Sequence, residues 1–326
     1  MTYREFQEYR TALLKARPDL IDLAETNPWR ALANLTPAVP QDLVTPVDRD
    51  ELAAAWLRTF SLDENCTART LLSSGVRHSL PLIFSVLTNR SAQLLLPVDV
   101  YPVYGQLAYA AGVTTETFPT IPELQLPDQG DWLLLPNPLK PAGRWLNSTE
   151  VKQIKEWLEK RPDRRLLLDI VYTFERQLHP TTRELLETGR TVLLHSLSKG
   201  WLHQQIFGVA LVPECEHAAL AAAFSNSAPD LAALRSARDL LTACPEYPDV
   251  IGAEIRRRRQ RMLERLPEIV RDRATFPAET VAAGYLMAVN LDPGELLEKY
   301  RLFTAPLTIF GSSNTDYCVM SVLSSR

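Results

Sequence analysis

The chain has 326 residues, of which 46% are hydrophobic and 23% charged, the balance of a folded rather than a disordered protein, and at roughly 150 residues per domain it has room for about two domains. Lys+Arg 35 against Asp+Glu 39 leaves a net charge of −4; the one basic run, Arg256 to Arg259 with Arg261, falls on a predicted helix, so nucleic acid is not an expected partner. No apolar run approaches the roughly 18 residues of a membrane span, and the opening MTYREFQEYR lacks the apolar core of a signal peptide, so the expected location is cytoplasmic.

Thr2 is placed to cap a first helix, in which Tyr3, Phe6, Tyr9 and Leu13 form one apolar stripe. Asp22 to Pro46, containing LAETNPWRAL, is punctuated by proline and predicts a shaped loop. Asp48 or Asp50 then opens a helix through Trp56 and Phe60. From Thr67 the pattern becomes an alternation of short strands and helices. ARTLLSSGVRHSLPLIFSVL reads as an apolar run, a turn at Ser73, Ser74 and Gly75, and a helix interrupted near Pro81. A glycine turn entering a helix offers backbone N–H groups and the positive end of the helix dipole to a phosphate, although a plain strand-to-helix turn has the same signature. Strands over Ala92 to Leu96 and Val113 to Phe118 enclose a helix with Tyr101 and Tyr104 on its entry turn. Trp132 to Leu135 is a strand ending in PNPLKPAGRWL, where Asn137 stands between two prolines. Asn147 or Ser148 caps a helix from Thr149 to Lys160, with Glu150 in its acidic first turn. Arg165 to Ile170 carries Asp169 at the end of an aliphatic strand, with Tyr172 three residues on; a carboxylate there needs a cation or several donors.

Residues 191–213, TVLLHSLSKGWLHQQIFGVALVP, hold two strand-like runs around a polar turn. A lysine at the mouth of a buried strand, Lys199, beside the hydroxyls of Ser196 and Ser198, suits an amine that traps a carbonyl next to a phosphate site, as in pyridoxal phosphate (PLP) chemistry. A surface lysine in a polar loop is the alternative. The alternation as a whole predicts an α/β domain with a mainly parallel sheet and ligands at the C-terminal ends of its strands. No G-x-G-x-x-G occurs, so a dinucleotide site is not expected. Past Pro213 the chain reads as helical over Glu214 to Phe224 and Leu231 to Leu266, then as GYLMAVNL strand, a helix from Pro293 to Tyr300, and CVMSVL strand. The expected division is 1–46 as an N-terminal arm and part of a small domain, 47–240 as a large domain, and 241–326 as a small α+β domain. Cys66, Cys215, Cys244 and Cys318 lack paired spacing, so neither zinc nor a disulfide framework is expected, and no metal site is assigned.

Asn137 in P-N-P-x-x-P-x-G, Asp169 and Tyr172 in D-x-x-Y, and Lys199 in S-x-S-K, in that order, resemble fold-type I PLP-dependent enzymes. The likeness is to the class I/II aminotransferases, including the branch of histidinol-phosphate aminotransferase and threonine-phosphate decarboxylase, whose N-E-N-P loop LAETNPW resembles. It spans nearly the whole chain and implies a mainly parallel seven-stranded sheet, a homodimer, and an amino acid or related amine as substrate. It also implies roles. Lys199 would form the Schiff base with PLP and, once released, move the Cα proton. Asp169 would pair with the pyridine nitrogen, Asn137 and Tyr172 would hydrogen-bond the phenolic oxygen, and Tyr101 would stack on the ring. Ser74, Gly75, Ser196 and Ser198 would hold the phosphate.

Three departures qualify the resemblance. Where the family has a phosphate-binding arginine two residues before a glycine, this chain has Ile206 before Gly208, which leaves His203, Gln204 or Arg77 as substitutes. A cross-subunit tyrosine is missing near Leu43 and Val44. The final strand reads Tyr317-Cys318-Val319-Met320-Ser321 where the family has Y-x-R-x-S; valine cannot replace a bidentate clamp on a substrate carboxylate, so Arg144 or Arg77 would have to serve. The leading expectation is an aminotransferase-like enzyme of specialised biosynthesis. The runner-up is a PLP-dependent lyase, decarboxylase or cyclase, and a non-catalytic binding module is the reading from outside enzymology.

Overall fold

The aliphatic runs of the middle of the chain become the strands of one sheet. The computed structural model describes residues 2–39, 44–100, 102–204, 207–225, 227–274 and 280–324. Seven strands, β1 (Thr70–Ser73), β2 (Gln93–Pro97), β3 (Thr114–Phe118), β4 (Trp132–Pro136), β5 (Arg165–Asp169), β6 (Thr191–Ser196) and β7 (Gly208–Leu211), pair in the order β1-β7-β6-β5-β4-β2-β3. Only β7 runs against its neighbours, β1 and β6; the remaining pairs are parallel. The expected mainly parallel α/β sheet is therefore present.

Both faces of this sheet are apolar because helices cover both. Side chains alternate along each strand: Leu133, Leu135, Leu166, Leu168 and Leu193 enter one core layer, with Trp56 and Ile154 from covering helices, while Leu94, Leu134, Leu167 and Leu194 enter the other with Leu80, Phe84 and Leu220. Strand order and direction bring Ser73, Pro136, Asp169 and Ser196 to a single edge, where Gly208 starts its antiparallel return: Pro136 pairs with Asp169, and Gly208 with both Ser196 and Ser73.

Local signals set most element ends. Thr2 and Glu5 form a capping box on the Tyr3–Ala16 helix, and Asn147 and Glu150 form another on Ser148–Glu159. One expectation is corrected: the Val76–Asn89 helix runs through Pro81 without interruption. Pro81 lies in the second turn, where its missing N–H forfeits a single bond, to the Arg77 carbonyl, and the buried faces of Leu80, Ile83 and Phe84 hold the helix to the sheet. The loop expected over Asp22 to Pro46 contains a short Pro28–Ala31 helix capped by Asn27. After Pro213 the helices are Glu214–Ser225, Leu231–Ala243, Tyr247–Arg265 and Glu268–Ala274, followed by a three-stranded sheet of 305–306, 318–321 and 286–289. Ile21 and Asp22 pair in parallel with Leu302 and Phe303, which ties the N-terminal segment to this C-terminal part. Among the described residues no helix is long and apolar enough to cross a membrane.

His195, fully buried on β6, is enclosed by Trp56, Phe60 and Trp201. The Trp56 indole N–H donates to Nδ1 at 3.0 Å, so the neutral ring carries its hydrogen on Nε2, which has no partner. Burial pushes its pKa from 6.5 down to about 3, against a small opposing pull from Asp169. In that interval the unfolded chain takes up the proton and the folded chain does not, so stability falls as pH drops from about 6.5 toward about 3. Urea unfolding across this range is expected to show that slope, and His195→Leu to flatten it.

Candidate active site

The edge where β1, β5, β6 and β7 meet gathers most of the residues singled out in the sequence. Lys199 lies in the short Leu197–Gly200 helix that caps β6, so the strand itself fixes its origin. Ser196 accepts from Ser198 N–H at 3.3 Å, and the two hydroxyls are 3.1 Å apart. The Lys199 ammonium stands 4.4 Å from the centre of the Trp29 ring, whose indole N–H donates to the Ser198 carbonyl at 2.8 Å. Trp29 is held by Asn27, whose side chain accepts from Trp29 N–H, so the proline-punctuated loop serves to set an indole against the lysine. Burial, reinforced by the charges of Lys140 and Arg77, lowers the Lys199 pKa from 10.5 to about 8. At pH 7 about a tenth of this amine is therefore in the nucleophilic, unprotonated form, far more than at the ordinary value.

Asp169, 2% exposed at the end of β5, accepts from Val171 N–H at 2.9 Å on Oδ1. Its Oδ2 accepts from the Tyr104 hydroxyl and from Lys140 Nζ, the latter at 3.0 Å. Burial and the Asp169 charge hold the Tyr104 phenol well above its usual pKa, so it stays a donor. Lys140 also lies 4.3 Å from the centre of the Tyr172 ring. The Tyr172 hydroxyl receives a 2.9 Å hydrogen bond from Tyr285, which lies 3.2 Å from the Thr26 carbonyl.

On the other side, Ser74 and Gly75 form the turn into the Val76–Asn89 helix. Gly75 has φ +91° and caps the helix without a side-chain hydrogen bond. A Cβ on Gly208 would stand 2.5 Å from the Gly75 Cα, so backbone lies directly against backbone here. The result is a helix N-terminus whose first turn has no side-chain cap, in which Ser74 N–H donates to His78 Nδ1 at 3.4 Å, and across the Gly208 strand lie the hydroxyls of Ser196 at the end of β6 and of Ser198 in the helix that follows.

Not every expected residue joins the cluster. The Asn137 side chain donates to Thr182 at 2.9 Å and Thr181 at 3.2 Å and accepts from Leu146 N–H at 3.1 Å. It is fully buried and braces its own loop, and the group this loop delivers beside Asp169 and Tyr172 is Lys140. Arg144 is also corrected as a carboxylate clamp: its guanidinium is bidentate to Glu150, 2.7 Å at each contact. His203 and Gln204 line a separate groove with Thr36, Pro37 and Val39. Tyr101, Leu43 and Ile206 lie outside the described residues. Tyr104, Lys140, Trp29 and Tyr285 are the additions; Tyr104 on its helix entry turn, Trp29 in the LAETNPW loop and Lys140 inside a proline-rich strand end were visible in the sequence, and Tyr285 carried no such signal. A cleft of about 1240 Å³ elsewhere is lined by Arg58, Arg176, Arg238 and Arg256 opposite Asp48 and Glu51; its charges are mixed and it contains none of the cluster.

No model of a protein family and no curated protein sequence matches the chain. Solved structures do. An aspartate aminotransferase double mutant from Thermus thermophilus superposes with a TM-score of 0.72 at 17% identity, over 99% of this chain and 92% of that one. A probable N-succinyldiaminopimelate aminotransferase, also from Thermus thermophilus, gives 0.72 at 22%, over 98% and 95%. A protein from Corynebacterium diphtheriae named as a PLP-dependent β-cystathionase gives 0.67 at 13%, over 92% and 85%. The fold is shared with solved aminotransferases. Within that fold, the glycine contact is a point where a single methyl group matters. Gly208→Ala is expected to destabilise the protein by about 2–4 kcal/mol through overpacking against the Gly75 backbone, measured as a shift in the urea midpoint without a change in slope.

Proposed function

We propose that this protein is a PLP-dependent, aminotransferase-like enzyme that acts on an amino acid or related amine through a Schiff base on Lys199. The observation that carries the reading is the convergence, at one sheet edge of this fold, of an amine with a lowered pKa, a buried carboxylate and a helix N-terminus without a side-chain cap. The donor set fits the cofactor. Gly75 opens the Val76–Asn89 helix without a side-chain cap, and its backbone is held against Gly208 so closely that a Cβ there would stand 2.5 Å from the Gly75 Cα; Ser74, Ser196 and Ser198 would add hydroxyls for a phosphate. Asp169 would pair with the ring nitrogen and Tyr172 with the phenolic oxygen, while Tyr101 takes the stacking role the resemblance implies. PLP, when bound, supplies an electron sink for a carbanion at the substrate Cα. Lys199 contributes a neutral amine able to attack a carbonyl and, once free, to accept the Cα proton. Tyr104 and Val171 keep Asp169 oriented. A homodimer and a place in cytoplasmic biosynthesis belong to the same proposal.

A lyase is the second reading, because the same carbanion can eliminate or reprotonate instead of transferring nitrogen, and the fold is shared with a protein named as a PLP-dependent β-cystathionase. The two readings part on products. Addition of PLP followed by borohydride should leave a stable adduct that peptide mass spectrometry maps to Lys199, and Lys199→Ala should give none. The rate of capture should rise with pH and level off above about 8, the value to which burial lowers this lysine, instead of near 10.5. With a panel of amino acids and no keto acid, stoichiometric pyridoxamine phosphate marks a transaminase, whereas catalytic release of ammonia or CO₂ marks the lyase. An adduct that maps elsewhere overturns both.

A further inference from the structure

Asp169 already has a cation. The carboxylate is 2% exposed and the Lys140 side chain 12% exposed, with Nζ 3.0 Å from Oδ2, so this is a buried ion pair rather than a surface contact. Burial lowers the Lys140 pKa and the Asp169 charge raises it, the opposition expected of an ammonium held out of water by one carboxylate. The remaining contacts of Asp169, Tyr104 hydroxyl and Val171 N–H, are neutral donors. They orient the carboxylate but leave its charge to Lys140.

The carboxylate that would pair with a cofactor's ring nitrogen is thus neutralised by the protein itself. A buried pair resists separation because each partner left alone is an uncompensated charge. The ammonium has a second partner besides the carboxylate: Nζ already lies 4.3 Å from the centre of the Tyr172 ring, a cation–π contact that its flexible stem lets it keep when Asp169 is given up. Leu139 and Arg144 bridge across the base of the loop, and Pro138 and Pro141 flank the lysine, so the side chain, not the backbone, is what can move.

We propose that Lys140 is a resident counter-ion of Asp169, which it neutralises in the cofactor-free protein and surrenders when PLP binds. This rests on the PLP reading above. Cofactor affinity is then set below what the donor set alone would give, because one ion pair is broken for each one made. Removing the competitor should tighten binding.

The test is equilibrium binding of PLP, read by quenching of tryptophan fluorescence and by thermal shift, in wild type, Lys140→Gln and Lys140→Arg. Lys140→Gln is expected to bind PLP about tenfold more tightly than wild type while its cofactor-free form melts at a lower temperature, since Asp169 is left unneutralised. Lys140→Arg keeps the cation and is expected to show no gain; a tenfold gain in that variant overturns the proposal even if Lys140→Gln is not obtained folded. If wild type binds PLP and Lys140→Gln binds equally or less tightly, Lys140 is a ligand of the cofactor or a bystander, and the proposal falls while the PLP reading stands. If wild type binds no PLP, both fall.

Discussion

A carboxylate buried at the end of a parallel strand must be neutralised and saturated with donors, and the arrangement of this sheet edge follows from that requirement. Asp169 gains its position from the aliphatic run Leu166 to Leu168, which is fully buried between two helical layers. Its donors come from three places: Val171 just beyond the strand, Tyr104 from the Val103–Ala110 helix, and Lys140 from the loop after β4. Leaving such a group unpaired costs several kcal/mol, so these elements are coupled through one side chain. Lys199, in the short helix that follows the adjoining strand, lies within reach of the same field, and its lowered pKa is partly a consequence of the cation brought in for Asp169.

Close backbone approach supplies the second constraint. Gly75 against Gly208 draws the Val76–Asn89 helix onto the start of β7, with no side chain between the two backbones. Gly143, at φ +81°, does the equivalent for the loop that carries Lys140: a Cβ there would meet the Leu286 carbonyl at 2.0 Å. That loop is stitched to the C-terminal sheet by Ala283 N–H to the Gly143 carbonyl at 2.8 Å and Trp145 N–H to the Val281 carbonyl at 3.0 Å. The large sheet and the C-terminal strands therefore share the element that neutralises Asp169.

Much of this was legible in the chain. Short aliphatic runs such as WLLLP and RLLLD, bounded by turn residues, fit strands covered on both faces, and their alternation with capped helices points to a mainly parallel sheet. Lys199, Asp169 and Tyr172 were visible because a charged or phenolic group at the end of such a run has no packing role. What was not legible was orientation within irregular backbone. Asn137 and Lys140 share one proline-rich turn, and three residues of displacement decide which faces the site; periodicity cannot resolve this because the turn has none. Glu150 was readable as a capping residue, but its second bond, to Arg144, depends on where the preceding loop returns. Trp29 reaches Lys199 across 170 positions of sequence (199 − 29), a contact no local pattern encodes.

Val319, where the resemblance would place an arginine, pairs with Ala288 and Ala305 in the central strand of its sheet and is buried, so that position is packing, and Arg144 is committed to Glu150. A substrate carboxylate entering this site needs a cation that is not already spent on a protein carboxylate. Lys140 meets that description only after it leaves Asp169, when its charge would be stranded beside Tyr172 in a poorly solvated pocket. On the counter-ion reading, cofactor binding and substrate recognition would be linked through one side chain: pairing of Asp169 with a ring nitrogen would free an ammonium for an anionic ligand. A lysine in that role holds a carboxylate as a point charge instead of through the planar two-bond grip of arginine, which would make recognition more tolerant of the geometry of the acid, or of its replacement by another anion.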